Sequence, residues 1–142
     1  MKRETKKILA EIFLILLICS YNPMFIFAFI WVFLHEVTHI IVALKHGCKF
    51  YNIGFHVFGL NAELSDINIL KDKEKIKIYI SGAVFNIFAS VLLYLISFKY
   101  NNSFIEASIN LNIGLAIFNL LPAYPLDGSR ILEIVLSKKI LF

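Results

Sequence analysis

His35-Glu36-Val37-Thr38-His39 lies inside an apolar run that extends from Met24 to Leu44. The other residues of this run are nearly all Phe, Ile, Val, Leu, Ala or Trp, and about 20 such residues cross a bilayer as a helix. Ionisable side chains are costly at membrane depth and usually serve a function there. The run therefore predicts a membrane-spanning helix whose polar residues form a functional site.

Two of these polar residues have the spacing of metal ligands. Histidines four positions apart lie about 40° apart around a helix axis, at roughly 100° per residue, so His35 and His39 can bind the same ion. Glu36 lies close by on a neighbouring face. Two imidazole ligands and a carboxylate that handles the protons of a bound water are typical of a zinc hydrolase. We therefore expect one Zn²⁺ ion per chain at this position.

A catalytic zinc site takes three protein ligands and a water, so the histidine pair needs a partner from elsewhere in the chain. Asp127 follows a helix that Pro122 and Pro125 end, and apolar residues flank it. His46 and His56 are closer in sequence, but they lie beyond the end of the span and are more ordinary as interfacial or surface residues. We favour Asp127 as the third ligand and keep the two histidines as alternatives.

Composition supports a membrane protein. Of the 142 residues, 59% are hydrophobic and 17% are charged, whereas a soluble domain averages roughly 25% charged residues. The apolar residues form long blocks, which predicts one all-α integral membrane domain over residues 1–142 in contact with the lipid bilayer. The net charge of +4 is modest and the lysines cluster between apolar blocks, so we expect no nucleic-acid partner. Cys19 and Cys48 lie on different segments and imply no disulfide framework.

The apolar blocks predict about four transmembrane helices. The first block begins like a signal peptide, but no small-x-small cleavage site follows it, so we expect a retained span. Turn signals separate the blocks, and prolines end the last one. The predicted spans cover residues 8–20, 24–44, 78–98 and 104–121, and a short amphipathic helix covers residues 127–136.

The segment between the second and third spans differs from the rest of the chain. Residues 50–60 are rich in aromatic and β-branched side chains with interspersed glycines, and residues 61–69 alternate between polar and apolar. These patterns indicate a small β-like or re-entrant segment rather than a span. The charge run from Lys71 to Lys75 is expected to be a solvated stretch before the third span.

The distribution of basic residues orients these spans. With a cytoplasmic amino terminus, all 14 lysine and arginine residues except Lys99 fall on cytoplasmic segments, as the positive-inside rule favours. The second span then runs inward with its histidine pair in the inner half, and Asp127 follows the inner end of the fourth span. We expect a multi-pass protein whose active site is toward the cytoplasm.

Three motifs, taken together, resemble the site-2 protease family of intramembrane zinc metalloproteases. They are the HExxH stretch at 35–39, the glycine-x-x-x-asparagine sequence from Gly82 to Asn86, and the NxxPxxPLDG sequence from Asn119 to Gly128. Within that family the chain looks most like the subgroup of stage IV sporulation protein FB, which processes a sigma-factor precursor. The resemblance covers residues 24–136 and implies a site-2 protease core.

The resemblance also implies a role for each residue of the motifs. His35, His39 and Asp127 would bind the zinc ion. Glu36 would accept the proton of the water and deliver it to the leaving amine. Asn86 would donate a hydrogen bond to the substrate backbone or to the oxyanion, with a polar contact between spans as the alternative.

The activity implied by the resemblance is endoproteolysis of a membrane-associated protein near the cytoplasmic face of a bacterial cell membrane. The substrate would be a sigma-factor precursor or an anti-sigma factor, and a membrane-protein inhibitor or regulator is a possible partner. The strand-like segment 50–64 would pair with an extended substrate by strand addition, or would merely cover the site.

Two other classes of function stay open at this point. One is a proteolytically inactive membrane scaffold of the same fold, and the other is a metal-binding or transport protein. The four residues of the expected site are all present and converge at one depth, which favours the protease. Sporulation-type members of the family continue with further spans, so we expect this chain to be either a minimal catalytic core or a truncated relative.

Overall fold

The computed structural model describes residues 24–56, 59–64, 66–100 and 102–140. Within these ranges the chain forms helices, one β-hairpin and a short 3-10 turn at Ile67–Ile69. The helices are α1 (Met24–Lys45), α2 (Asp72–Ser97), α3 (Ser103–Asn119) and α4 (Asp127–Ile140), and the strands are β1 (Phe50–His56) and β2 (Gly59–Leu64). The predicted span over residues 8–20 lies outside the described residues and stays a prediction.

Two of the described helices, α1 and α2, are long and apolar enough to cross a membrane. α1 matches the helix predicted over residues 24–44 and ends one residue later. α3 occupies most of the range predicted for the fourth span, but its 17 residues fall short of the about 20 that cross a bilayer. The length and composition of these two helices fit a membrane protein, whereas the count of four spans stays a prediction.

α2 begins before the span predicted over residues 78–98. It starts at Asp72, so the charge run forms its first turn, in which Lys73 is exposed to solvent as predicted. The backbone N–H of Lys71 donates to the carboxylate of Glu74 at 2.9 Å, which caps the helix in place of a backbone acceptor. Acidic side chains are also favourable at the positive end of the helix dipole. The predicted helix over 127–136 likewise extends further, to Ile140.

The segment between α1 and α2 folds as a β-hairpin. β1 pairs with β2 in antiparallel register, with Ile53 opposite Ala62 and a register shift between Phe50 and Asn52. β2 lies against α1. The strands match the β-like pattern of the sequence, and entry of this segment into the bilayer stays a prediction.

α2 is the central helix of the described structure, because it packs against α1, α3 and α4. Its buried face consists mainly of small or polar residues, and the buried residues of α3 are of the same kind. Large apolar side chains point outward instead; Phe88 is 65% exposed and Ile117 is 62% exposed. Helices associate in membranes through small residues and hydrogen bonds, so this reversed pattern fits a lipid environment.

Candidate metal centre

α1 presents both histidines of the HExxH stretch toward α2. His35 is 2% exposed and His39 is 8% exposed, and Glu36 between them is half-buried. The hydroxyl of Thr38 donates to the carbonyl of Leu34 at 2.8 Å, so this polar side chain is satisfied inside the helix. Helical geometry alone therefore delivers two imidazoles to one buried face.

Asp127 reaches the same point from the other end of the described chain. It is the first residue of α4 and follows the turn that connects α3 to α4. A Cβ atom on Gly128 would collide with the backbone carbonyl of Leu120, so glycine is needed for this turn to close. The turn also contains a cis peptide bond between Tyr124 and Pro125.

The three side chains converge on one point. One carboxylate oxygen of Asp127, Oδ2, lies 3.3 Å from Nε2 of His35 and 3.1 Å from Nε2 of His39. The two Nε2 atoms are 3.1 Å apart. Within the described part of the chain, these are the residues that form a group able to hold a metal ion. His46 is not a member of the group, so Asp127 is the candidate that the geometry favours.

The opposite nitrogens of the two rings determine where the protons are. Nδ1 of His39 lies 2.7 Å from the backbone carbonyl of Ile78, on α2. A carbonyl can only accept a hydrogen bond, so this Nδ1 carries the hydrogen and Nε2 keeps its lone pair. Nδ1 of His35 lies 2.9 Å from the amide oxygen of Asn86, also on α2, and the same reasoning applies. Such outer partners usually orient metal-binding histidines.

The spacing of these atoms fits a zinc ion. Ligand atoms held about 2.0–2.1 Å from a tetrahedral zinc lie about 3.3–3.4 Å from one another, close to the observed 3.1–3.3 Å. Two nitrogen lone pairs and a carboxylate oxygen at this distance repel one another unless a cation lies among them. The residues present therefore fit the metal that the motif predicts.

Asp127 is suited to be an anionic ligand. Burial alone would raise the pKa of its carboxyl group, but the adjacent side chains of His35 and His39 outweigh this effect and lower the pKa to about 2. The side chain is therefore a carboxylate at neutral pH, as metal binding requires. Glu36 is close enough to interact electrostatically with all three residues, which is the neighbourhood expected for a general base.

Asn86 contacts His35 from α2. Its side chain is fully buried, and its amide oxygen is directed at His35. A role in substrate binding stays a prediction, whereas contact with a metal-binding histidine is observed.

Other residues of the site were missed by sequence reasoning. Ser81 donates its hydroxyl to the carbonyl of Ile78 at 2.7 Å and lies 3.2 Å from Nδ1 of His39. Gly82 packs so close to the rings that a Cβ atom there would lie 2.5 Å from Nε2 of both His35 and His39. The glycine of the second motif was the available signal, because glycine within a helix often marks a close approach.

Two histidines of an HExxH helix and a distant aspartate lie at one point, an arrangement typical of the metalloprotease class. A family model, Peptidase family M50, matches residues 99–141. A zinc metalloprotease of Methanocaldococcus jannaschii is 34% identical over 126 residues, which cover 82% of this chain and 35% of that protein. Stage IV sporulation protein FB of Bacillus subtilis is 28% identical over 114 residues, which cover 78% of this chain and 39% of that protein.

A solved structure supports the same relationship. The site-2 protease from Methanocaldococcus jannaschii superimposes with a TM-score of 0.74 at 30% identity, over 92% of this chain and 64% of that one. The chain is similar to proteins of peptidase family M50, the site-2 protease family. The resemblance predicted from the motifs is therefore confirmed, and stage IV sporulation protein FB is among the matches. The chain spans little more than a third of the length of these curated relatives, at 35% and 39%.

The first prediction tests the close approach of α2 to the histidines. In Gly82→Ala the new methyl group would occupy space beside both Nε2 atoms. We expect zinc binding to weaken about tenfold or more, because overpacking a tight site costs about 1–3 kcal/mol. The measurement is zinc affinity of the purified protein in detergent, by chelator competition.

The matched control for this substitution is Gly114→Ala on α3, where no atom lies within 4 Å of the added Cβ. Both variants gain the same helix propensity, so a difference between them reports the clash. Equal zinc affinity in the two variants would contradict the geometry described for Gly82.

A second prediction concerns the third ligand. Asp127→Asn keeps the shape of the side chain but removes its charge. We expect zinc affinity to fall at least about 100-fold, because losing even an outer partner of a ligand costs about 10–100-fold. Zinc content per chain is measured by elemental analysis, with Glu106→Gln, an exposed site on α3, as the control. Unchanged zinc content would show that another residue is the third ligand.

Proposed function

We propose that this chain carries the catalytic site of an intramembrane zinc metalloendopeptidase that hydrolyses a peptide bond of a membrane-associated protein. One observation carries the proposal: the lone pairs of His35 and His39 and the carboxylate of Asp127 converge within 3.1–3.3 Å. Glu36 stands beside them with its carboxylate in the same electrostatic neighbourhood. These are the ligands and the base that zinc-dependent peptide hydrolysis needs.

In this mechanism, His35, His39 and Asp127 hold the zinc ion. When bound, zinc acts as a Lewis acid and lowers the pKa of its water toward 7. The carboxylate of Glu36 accepts a proton from the attacking water and later delivers it to the leaving nitrogen. Burial of both histidines excludes bulk water from the metal-binding face, which strengthens the electrostatic interactions inside the site.

Asn86 has two possible contributions to this mechanism. Its amide oxygen orients His35 through the observed 2.9 Å contact. A hydrogen bond from its amide nitrogen to the substrate backbone or to the oxyanion would add transition-state stabilisation. Because the side chain is fully buried, this second role requires that the substrate or a movement of α2 make the nitrogen accessible.

The β-hairpin is the proposed binding surface for the substrate backbone. Within the described residues, β1 and β2 pair only with each other, so each strand keeps one edge with unpaired backbone groups. An extended peptide can add to such an edge as a further strand. The substrate must be extended in any case, because the hydrogen bonds of a helix shield its peptide groups from attack.

The location of the activity follows from the distribution of charge. The bias of basic residues favours a cytoplasmic amino terminus, and with that orientation Asp127 would lie at the cytoplasmic side of the membrane, which we expect to be a bacterial cell membrane. Substrates of this site would be sigma-factor precursors or anti-sigma factors cleaved near that face. A membrane-protein inhibitor or regulator would restrain the enzyme until cleavage is needed.

The third prediction separates the base from the ligands. Glu36→Gln should lower the rate of peptide cleavage by about 100- to 10,000-fold, as expected for loss of a general acid-base. Zinc content should stay at the wild-type level, because Glu36 is not a ligand. Cleavage is measured by mass spectrometry on single-span membrane peptides reconstituted with the protein in lipid vesicles.

Glu106→Gln serves again as the control, since it removes the same charge from an exposed position. Undiminished cleavage by the Glu36 variant would overturn the mechanism. A wild-type chain that binds zinc but cleaves none of the peptides would favour an inactive scaffold.

A further inference from the structure

Two buried asparagines on neighbouring helices each leave one amide atom unused. Nδ2 of Asn86 on α2 and Oδ1 of Asn112 on α3 have no hydrogen-bond partner among the described residues. Both side chains are 0% exposed. An unsatisfied buried polar group costs about 1–3 kcal/mol, and one of these atoms is a donor while the other is an acceptor.

The register of the two helices places these residues in the same layer. The hydroxyl of Ser90 on α2 donates to the carbonyl of Ile109 on α3 at 3.2 Å. A short connection joins the two helices, so they run antiparallel. One turn back from Ser90 is Asn86, and one turn forward from Ile109 is Asn112. The two asparagines therefore lie side by side across the interface.

The other amide atom of each asparagine is already engaged. Nδ2 of Asn112 donates to the carbonyl of Ser108 within α3 at 2.9 Å. This bond determines which end of the Asn112 amide is the nitrogen, and it leaves Oδ1 as an acceptor. The Oδ1 atom of Asn86 contacts Nδ1 of His35 at 2.9 Å, which leaves its nitrogen as the donor.

We propose that Oδ1 of Asn112 accepts a hydrogen bond, through one buried water, that originates at Nδ2 of Asn86, and so positions His35 for metal binding. This inference rests on the proposed metal site. A hydrogen-bonded chain then runs from α3 through α2 to the HExxH helix. Because Nδ2 carries two hydrogens, the bond to Asn112 leaves one available for a substrate.

These hydrogen bonds, from Asn112 through Asn86 to His35, determine which ring nitrogen of His35 carries the hydrogen. If the Asn86 amide were reversed, its nitrogen would face Nδ1 of His35 as a donor. His35 would then have to carry its hydrogen on Nε2, where no lone pair would be left for the ion. An acceptor at Asn112 disfavours that reversal, since Nδ2 of Asn86 would lose its partner. Asn112 is thus a positioning residue that acts on the metal site without touching it.

The test compares two substitutions of Asn112 in the full chain. Asn112→Leu keeps the approximate size but removes the acceptor, and we expect zinc affinity to fall about 10- to 100-fold, as for other outer partners of metal ligands. Asn112→Asp, protonated in this buried position, keeps a carbonyl acceptor and an O–H donor for Ser108. It is therefore expected to restore affinity to near the wild-type value. Asn110→Leu, an exposed asparagine of the same helix, is the control.

The readouts are zinc affinity by chelator competition and the visible absorption spectrum of the Co²⁺-substituted protein, both in detergent. The spectrum reports the geometry around the ion, so a change in Asn112→Leu that Asn112→Asp reverses separates positioning from packing. The leucine substitution is repeated in an Asn86→Ala background. There we expect no further loss of zinc affinity, because the hydrogen bonds that link Asn112 to His35 are already absent without Asn86.

Several outcomes would overturn the inference. Wild-type zinc affinity and cobalt spectrum in a folded Asn112→Leu variant would do so, and so would an equal loss with and without Asn86. Should the leucine variant fail to fold, Asn112→Ala removes the same acceptor and takes its place in the cycle. A wild-type chain that binds neither metal would instead refute the proposed function itself, so the two failures are distinguishable.

Discussion

The structure depends on the hydrogen bonds that α2 makes to the far side of the two metal-facing imidazoles. The carbonyl of Ile78 and the amide oxygen of Asn86 accept from the Nδ1 atoms of His39 and His35. Each bond leaves an Nε2 lone pair directed at Asp127. An imidazole buried without such a partner would lose hydrogen-bond energy and would be free to present the wrong nitrogen.

This requirement explains why α2 carries glycine, serine and asparagine where a lipid-facing helix would carry larger apolar residues. Gly82 lets the helix backbone come against the rings, and Ser81 shares the carbonyl of Ile78. The outward surface supplies the apolar area instead, as the exposure of Phe88 and Ile117 shows. The small and polar residues of α2 therefore both contact the histidines and form the interface with the neighbouring helices.

The turn before α4 positions the carboxylate of Asp127 beside the histidines of α1 and their partners on α2. Gly128 allows close contact with the end of α3, and Asp127 then begins a new helix. The cation–π contact of Arg130 with Tyr79, at 5.7 Å, joins α4 to α2 near the carbonyl that orients His39. The position of the third ligand thus depends on packing between α4 and α2 as well as on the turn.

Much of this arrangement was accessible from the residues alone. Helical periodicity places His35 and His39 on one face, and the apolar run around them predicts α1. The proline-rich motif before Asp127 indicated this residue as the candidate third ligand through its chemistry and its depth. The helical conformation of the charge run before the third predicted span was not predicted, because such a run is typical of a solvated loop unless the cap formed by Glu74 is recognised.

By itself, the sequence determined the HExxH motif, the helical core and the resemblance to a family, because those depend on composition and on spacing within one segment. Only the tertiary structure decided the partners of the imidazoles and the position of Asn112. His39 and Ile78 are 39 positions apart, and His35 and Asn86 are 51 positions apart. Contacts between such distant residues depend on how helices pack, which local periodicity does not encode. The same distinction explains why the contact of Asn86 with His35 was not predicted from the sequence, whereas its role in substrate binding stays a prediction.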